Sequence, residues 1–337
     1  MLPFRNKSFF SILKLPILDI SSFQSSPQTL RNEISSQIAE ASKTHGFFLV
    51  KPISFQFSAF FQSSNDFFSQ SKDLKLSIKN KTQGLTRGYI GMGEESGSDQ
   101  YEVKEAFSYG FNWPQEKPIE NPLQGPNQFP ENQPFFKETL SQAYDSMCSN
   151  AFLLTEIFSI ILGLKSDYLQ GFCKKGHTIS LMRIFHYFPY EKAPISANNM
   201  KKIGSSEHTD WGFLTLIAEE PGKSGLQAFY QGEWIDVEIA EGTFLVNCGD
   251  YLSLISDGKI KSPLHRVISK GKERVSGVFF YYPDFEAKIP KVQSQEYSLF
   301  KEQKLGRNVK EEEIEGKSFG EYIVEKWKQV ARDGKMY

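Results

Sequence analysis

The spacing of apolar residues along the chain changes character near Ile179. Before it, long stretches carry apolar positions three and four apart, the period of a helix. After it, short alternating runs are separated by turn residues, the signature of strands. In the first part, Leu15–Ile20 reads as a short strand, with Pro16 tolerated at its start. Ser26–Thr44 repeats through Leu30, Ile34, Ile38 and Ala41 as a helix ended by His45-Gly46, and Phe47–Val50 is the strand that follows. Ser54–Ile78 predicts one further helical region, Gly84–Gly97 a glycine-dotted loop, Tyr101–Gly110 a strand, and Trp113–Pro134 an irregular segment.

The longest helix is expected over Phe135–Leu164, with Leu140, Tyr144, Met147, Ala151, Leu154 and Phe158 on one stripe that backs a sheet. From Ile179 to about Pro283 the short strands predict an antiparallel sandwich or jelly roll. Two hairpin-like units run through Gly225-Leu226-Gln227 and Gly232-Glu233-Trp234 to a tight turn at Asn247–Asp250, where a strand is expected to reverse. Ser318–Val330 is helical again. The fold class is therefore mixed α+β, mainly β: a double-stranded β-helix (jelly-roll) core with flanking helices and an N-terminal α/β portion. The expected divisions are a tail over 1–14, an N-terminal region over 15–134, a backing helix and connector over 135–178, the core over 179–290 and a C-terminal helical extension over 291–337.

Composition narrows the function more than the fold. Apolar residues make up 39% of the 337, and the 30 phenylalanines suit broad sheets with aromatic packing. Lys and Arg number 39 against 40 Asp and Glu, so no global field recruits nucleic acid or an anionic membrane, and the expected partner is a small molecule. No apolar run is long enough to span a bilayer. Cys148, Cys173 and Cys248 lie far apart without metal-ligand spacing, which favours buried thiols in a reducing compartment, the cytoplasm or nucleus. The first fourteen residues hold Arg5, Lys7 and Lys14 and no acid, a faint mitochondrial-presequence composition. An irregular basic tail is the simpler reading.

The candidate chemistry sits in His208-Thr209-Asp210-Trp211-Gly212. An imidazole and a carboxylate two residues apart point to one side of an extended strand. Such a pair alone more often makes a surface hydrogen bond than a metal site. With a second histidine it occupies one face of an octahedral iron and leaves positions open for substrate and oxygen. His265, in a later strand of a chain that folds back on itself, is the candidate. Arg274-Val275-Ser276 then repeats the two-residue spacing with a two-pronged cation and a hydroxyl, a grip for a carboxylate. His45, His177 and His186 are read as structural, and Trp211 as packing beside the site. Asp250 has the poorer spacing for a ligand, and Lys104 and Glu105 read as a structural ion pair.

His208-Thr209-Asp210, His265 and Arg274-Val275-Ser276 together resemble the signature of the iron(II)- and 2-oxoglutarate-dependent dioxygenases, in the branch related to isopenicillin N synthase. The resemblance covers most of the chain. Leu15–Ile20, His45–Phe48, Lys104–Phe107 and Gly125-Pro126-Asn127 are similar to that branch's N-terminal region, and Met182–Tyr187 is similar to the strand that carries a 2-oxoglutarate-binding tyrosine, here Tyr187. Plant relatives often have Asn-Tyr-Tyr where this chain has Phe185-His186-Tyr187, which weakens transfer of plant substrate classes.

The resemblance implies that His208, Asp210 and His265 hold Fe(II), that Arg274, Ser276 and Tyr187 bind 2-oxoglutarate, and that O2 is the second co-substrate. It implies an oxidoreductase that hydroxylates or desaturates a small organic molecule, with release of succinate and CO2. Iron with one carboxylate and two neutral imidazoles is singly positive, a dianionic 2-oxoglutarate makes the centre singly negative, and Arg274 restores neutrality. Arg87, Tyr89, Phe107, Tyr281 and Phe285 are the expected substrate-lining residues. Two alternatives stay open: an isopenicillin N synthase-like Fe(II) oxidase that uses no 2-oxoglutarate, and a catalytically silent small-molecule binder on the same fold.

Overall fold

The computed structural model describes residues 12–79, 87–96, 100–292 and 314–332. Most of the tail expected over 1–14 and most of 291–318 therefore lie outside the described residues. The chain begins with β1 (Ile12–Leu13), β2 (Ile17–Asp19), α1 (Gln28–Thr44) and β3 (Phe47–Lys51). The single helical region expected over 54–78 is two helices, α2 (Phe57–Phe68) and α3 (Lys72–Ser77). They break at Ser71, which caps α3 by accepting from the Leu74 N–H at 3.3 Å. The loop expected over 84–97 contains a strand, β4 (Gly88–Ile90). The strand expected over 101–110 divides at Val103 into β5 (Gln100–Glu102) and β6 (Lys104–Gly110), which join different sheets.

α4 (Pro134–Ile161) follows, with proline in its first turn, and then β7 (Leu181–Tyr187), β8 (Lys201–Ile203) and β9 (Ser205–His208). The remaining strands are β10 (Leu214–Glu219), β11 (Leu226–Tyr230), β12 (Glu233–Val237), β13 (Phe244–Cys248), β14 (His265–Val267) and β15 (Arg274–Tyr281), with α5 (Asp250–Ile255) after β13 and α6 (Phe319–Arg332) at the end. β11 and β12 form the first of the two expected hairpin-like units, whereas β13 pairs with β10 and β3 in the other sheet, so the second does not form. In the β11–β12 hairpin, the turn residues Gln231 and Gly232 both take positive φ, 51° and 86°, as a two-residue turn of this hand requires. The Asn247–Asp250 stretch is not the expected reversal. Gly249 leads directly into α5, so the strand continues into a helix.

Two sheets face one another. The larger has eight strands in the order β2-β3-β13-β10-β15-β7-β6-β4, and the smaller has five, β1-β12-β11-β14-β9. β5 and β8 pair parallel in a third, two-stranded ribbon. Strand alternation divides the large sheet's side chains cleanly. Phe48, Phe107, Met182, Leu216 and Phe279 face the helices, whereas Leu49, Phe185, Ile217, Leu245 and Val278 face the small sheet. The predicted stripe on α4, from Leu140 to Phe158, is buried against the helix-facing side. Each such Leu, Met or Phe contributes roughly 1.5–3 kcal/mol of burial.

The N-terminal region is not a separate body. β2 and β3 extend one side of the eight-stranded sheet, and β6 and β4 extend the other. Leu13, assigned by sequence to the tail, pairs instead with Val237 of the small sheet. A fragment starting at Ile179 would lose both flanks and all of α4, and would expose the apolar face that the helix covers. It is expected to show no cooperative thermal transition by circular dichroism, whereas the full chain unfolds in one step.

Candidate metal centre and its cavity

Between the sheets lies a cavity of about 410 Å³, and the two histidines and the aspartate converge on it. Their candidate ligand atoms all lie within 4.8 Å of one another. Register does half of this work. β9 and β14 are antiparallel neighbours with His208 directly opposite His265, so the rings stand 4.3 Å apart. Asp210 lies just past the end of β9, not on the strand as the spacing suggested, yet the extended chain still turns it toward the histidines.

Hydrogen bonds orient each donor. His208 Nδ1 lies 2.7 Å from the Ser206 carbonyl, and His265 Nδ1 lies 3.0 Å from that of Pro263. A carbonyl only accepts, so both Nδ1 atoms carry the proton and both Nε2 atoms present lone pairs. Burial, then the neighbouring His208, push the His265 pKa down to about 4, which keeps that ring neutral. Asp210 Oδ2 accepts from Thr215 Oγ1 at 2.6 Å and Asn247 Nδ2 at 2.8 Å. Oδ1 is thereby aimed at the histidines, 3.5 Å from His208 Nε2 and 3.9 Å from His265 Nε2. Although burial opposes ionisation, the histidines and these two donors hold Asp210 below its ordinary range. Two neutral nitrogens and one carboxylate oxygen, held on one side, fit a divalent first-row metal.

The backbone that carries this group is clamped. The N–H groups of Gly249, Asp250 and Tyr251, where α5 begins, donate to the carbonyls of Phe213, Asp210 and Gly212. A side chain at Gly249 would collide with the Gly212 carbonyl, which explains the glycine. Gly46, at φ 74°, packs against Lys261 and Pro263, so the His45-Gly46 step underlies the segment that orients His265.

Arg274, Ser276 and Tyr187, read from the sequence as a carboxylate grip, line the same cavity. Arg274 of β15 faces Tyr187 of β7 across the sheet, and its guanidinium stacks 4.2 Å over the tyrosine ring. Ser276 shares that face. A residue that sequence reading overlooked completes the group: Glu219 of β10 accepts from Arg274 Nη1 at 2.6 Å, both side chains being 5% exposed. Burial outweighs the adjacent Arg274 charge and raises the Glu219 pKa to about 7. The signal was available, because Thr215, Ile217 and Glu219 share one parity on the strand that follows His-x-Asp.

Sequence reading placed several other residues elsewhere. Lys104 and Glu105 do not pair, since neighbours on a strand point to opposite faces. Lys104 faces the cavity and meets Glu102 at 2.6 Å and Glu95 at 3.4 Å, while Arg183 also binds Glu95. Glu105 faces the helices and meets Lys75, Tyr89 and His186. His186 is thus structural, and Trp211 lines the cavity edge-on to Trp327 of α6.

None of the five expected lining residues is on the cavity wall. Phe107 and Tyr281 have the wrong strand parity and pack in the core beneath the helices. Tyr89 is tied to Glu105, the Arg87 guanidinium donates to the Leu123 carbonyl, and Phe285 packs at Gly320. The cavity wall carries instead Arg183, Glu95, Trp211, Tyr282 and Trp327, among others.

The chain is similar to known oxygenases along most of its length. Residues 178–283 match the 2OG-Fe(II) oxygenase superfamily, and residues 15–132 match the non-haem dioxygenase in morphine synthesis N-terminal family. A 2-oxoglutarate-dependent dioxygenase of Trichoderma harzianum is 30% identical, covering 82% of this chain and 87% of that protein. A 1-aminocyclopropane-1-carboxylate oxidase of Dictyostelium discoideum is 29% identical over 96% of each. Among solved structures, a full-length Neurospora crassa protein in complex with alpha-KG has a TM-score of 0.74 at 26% identity, covering 93% of this chain and 95% of that one. The same protein has also been solved with alpha-KG and thymine together, again with a TM-score of 0.74. This chain belongs to the 2OG-Fe(II) oxygenase superfamily. It is a 2-oxoglutarate-dependent dioxygenase, an oxidoreductase whose cofactor is Fe(II). Among the described residues, no helix is long and apolar enough to cross a membrane.

The buried charges around Lys104 make one stability prediction. Lys104→Met leaves Glu102 and Glu95 short of a cation, and Glu102 also holds β9 through the Ser206 N–H at 2.7 Å. The variant is expected to lose about 3–5 kcal/mol, read as a lowered urea midpoint.

Proposed function

We propose that His208 Nε2, His265 Nε2 and Asp210 Oδ1 hold one ferrous ion, and that Arg274, Ser276 and Tyr187 receive the distal carboxylate of 2-oxoglutarate. The observation that carries this reading is the convergence of three oriented donor atoms on the cavity that also contains Arg274. Ferrous iron, when bound, supplies the oxygen activation and the oxidising power for hydroxylation or desaturation, with succinate and CO2 as co-products. The protein supplies placement. Thr215 and Asn247 fix the carboxylate, the two main-chain carbonyls fix the imidazoles, and Ile217, Val278 and Phe280 line the cavity with apolar surface that limits water. No side chain has to act as a general base.

The substrate is a small organic molecule. The cavity lies in the size range of small-ligand sites, and Trp211, Trp327 and Tyr282 offer it flat surfaces beside the Arg183–Glu95 pair. The oxidase and silent-binder alternatives are less well supported, because the relatives include several 2-oxoglutarate-dependent enzymes and the donor set is complete. Three free thiols, two of them buried, support a reducing compartment such as the cytoplasm.

Metal analysis of anaerobically loaded protein tests the centre. His265→Ala is expected to lose iron and turnover while keeping the wild-type circular dichroism, and full iron occupancy in that variant would remove His265 from the site. Asn247→Ala, which frees one side of Asp210, is expected to weaken metal binding by about 10–100-fold. Succinate formation from 2-oxoglutarate across a metabolite panel tests the reaction. Arg274→Lys keeps the charge but loses the fork, and is expected to weaken 2-oxoglutarate binding by about 1–3 kcal/mol.

A further inference from the structure

Arg274 does not wait for a co-substrate as a bare cation. Its Nη1 already donates to Glu219, its face lies on Tyr187, and its Nε and Nη2 edge packs close to Gly225, where a side chain would press on both atoms. Glu219 and Ser276 are direct cross-strand partners on β10 and β15. A carboxylate delivered to Arg274 and Ser276 therefore arrives beside the Glu219 carboxylate, in a site from which water is largely removed. Two carboxylates that close do not both stay ionised at low cost.

We propose that 2-oxoglutarate binding at Arg274 is coupled to uptake of one proton by Glu219, so that Glu219 sets the affinity for the co-substrate and makes it fall as pH rises. The inference rests on the assignment of Arg274 as the co-substrate grip. In the free protein, Arg274 and ionised Glu219 form a neutral pair. In the complex, the distal carboxylate takes the Arg274 charge, and a proton from solvent goes onto a Glu219 carboxylate oxygen. The charges then balance as they would with Arg274 alone: doubly positive iron, Asp210, dianionic 2-oxoglutarate and Arg274 sum to zero, whereas an ionised Glu219 would leave the buried centre singly negative.

The other groups around Glu219 do not remove the conflict. Lys270, on the segment before β15, is held at 2.9 Å by Asp236 of β12. Ser224 and the Gly225 main-chain N–H favour ionised Glu219, but they are uncharged and burial still outweighs them. Glu220 points the other way, accepting from the Val275 N–H and pairing with Lys223. On the far side of Tyr187, Lys104 is committed to Glu102 and Glu95. Arg274 is the only cation in direct contact with Glu219 among the described residues. Burial already lifts Glu219 to about 7, so the proton comes within physiological reach. The sign follows. Affinity is highest below that pKa, where Glu219 arrives protonated, and declines above it by up to about tenfold per pH unit.

Titration calorimetry of 2-oxoglutarate into protein loaded with Mn(II), a redox-silent stand-in for Fe(II), measures this without turnover. Performed near pH 8 in buffers of differing ionisation enthalpy, it is expected to show close to one proton taken up per 2-oxoglutarate by the wild type. Between about pH 6.5 and about pH 8.5 the wild-type dissociation constant is expected to rise at least about tenfold. Glu219→Gln, similar in shape but unable to ionise, is expected to bind more tightly than wild type at the upper pH, with that uptake and that slope removed. Wild-type binding with neither proton uptake nor pH slope overturns the coupling, with or without a folded variant, and leaves the co-substrate assignment standing. A slope and uptake that persist unchanged in Glu219→Gln also overturn it. Failure of both proteins to bind 2-oxoglutarate at any pH overturns the Arg274 assignment, and the coupling with it.

Discussion

The Asp210 carboxylate ties the two sheets together at one point. One oxygen accepts from Thr215 and Asn247, which belong to the eight-stranded sheet, while the other faces His208 and His265, which belong to the five-stranded sheet. A carboxylate has the lone pairs to do both, whereas an amide in its place could not offer oxygen to both sides. The rest of the centre depends on that tether. The start of α5 fixes the backbone of 210–213 from one side, and the cross-strand pairing of His208 with His265 fixes the other. This is how a site built from three separated segments keeps its geometry in advance of any ligand.

Around the tether the cavity holds buried charge in matched groups. Glu95, Glu102, Lys104 and Arg183 form one set on the cavity wall, and Glu219 with Arg274 forms a second. Each is tolerable because its members are mutually paired, and removing one member leaves the rest uncompensated in a poorly solvated place. In the second set the Arg274 charge is already balanced by Glu219 within the cavity.

Much of the architecture was legible in the chain because it rests on local period and local chemistry. The helix stripe from Leu140 to Phe158, the shared face of Arg274 and Ser276, and the hairpin through Gly232 each follow from spacing or from a glycine's backbone freedom. His208, Asp210, His265 and Arg274 were legible as a group because their types and order match the resemblance, and the structure brings them to one cavity. The helix break at Ser71 was less visible, since apolar periodicity resumes beyond it at Leu74.

Side-chain partners across the molecule had no comparable sequence record. Arg87, Tyr89, Phe107, Tyr281 and Phe285 looked like pocket residues by type and neighbourhood, but strand parity and the helices behind the large sheet turned them into core. Asn247 and Thr215 come from two strands that meet Asp210 only when the sheet forms, and Glu219 meets Arg274 only because β10 and β15 pair in one register. By itself, then, the sequence determined the period of most elements, the His-Asp-His group and the arginine that follows it, all properties of residues near one another or of fixed chemical type. Which strand face became the cavity, which residues hold Asp210, and that Arg274 is already partnered were decided only by tertiary structure, because each depends on a register between distant strands.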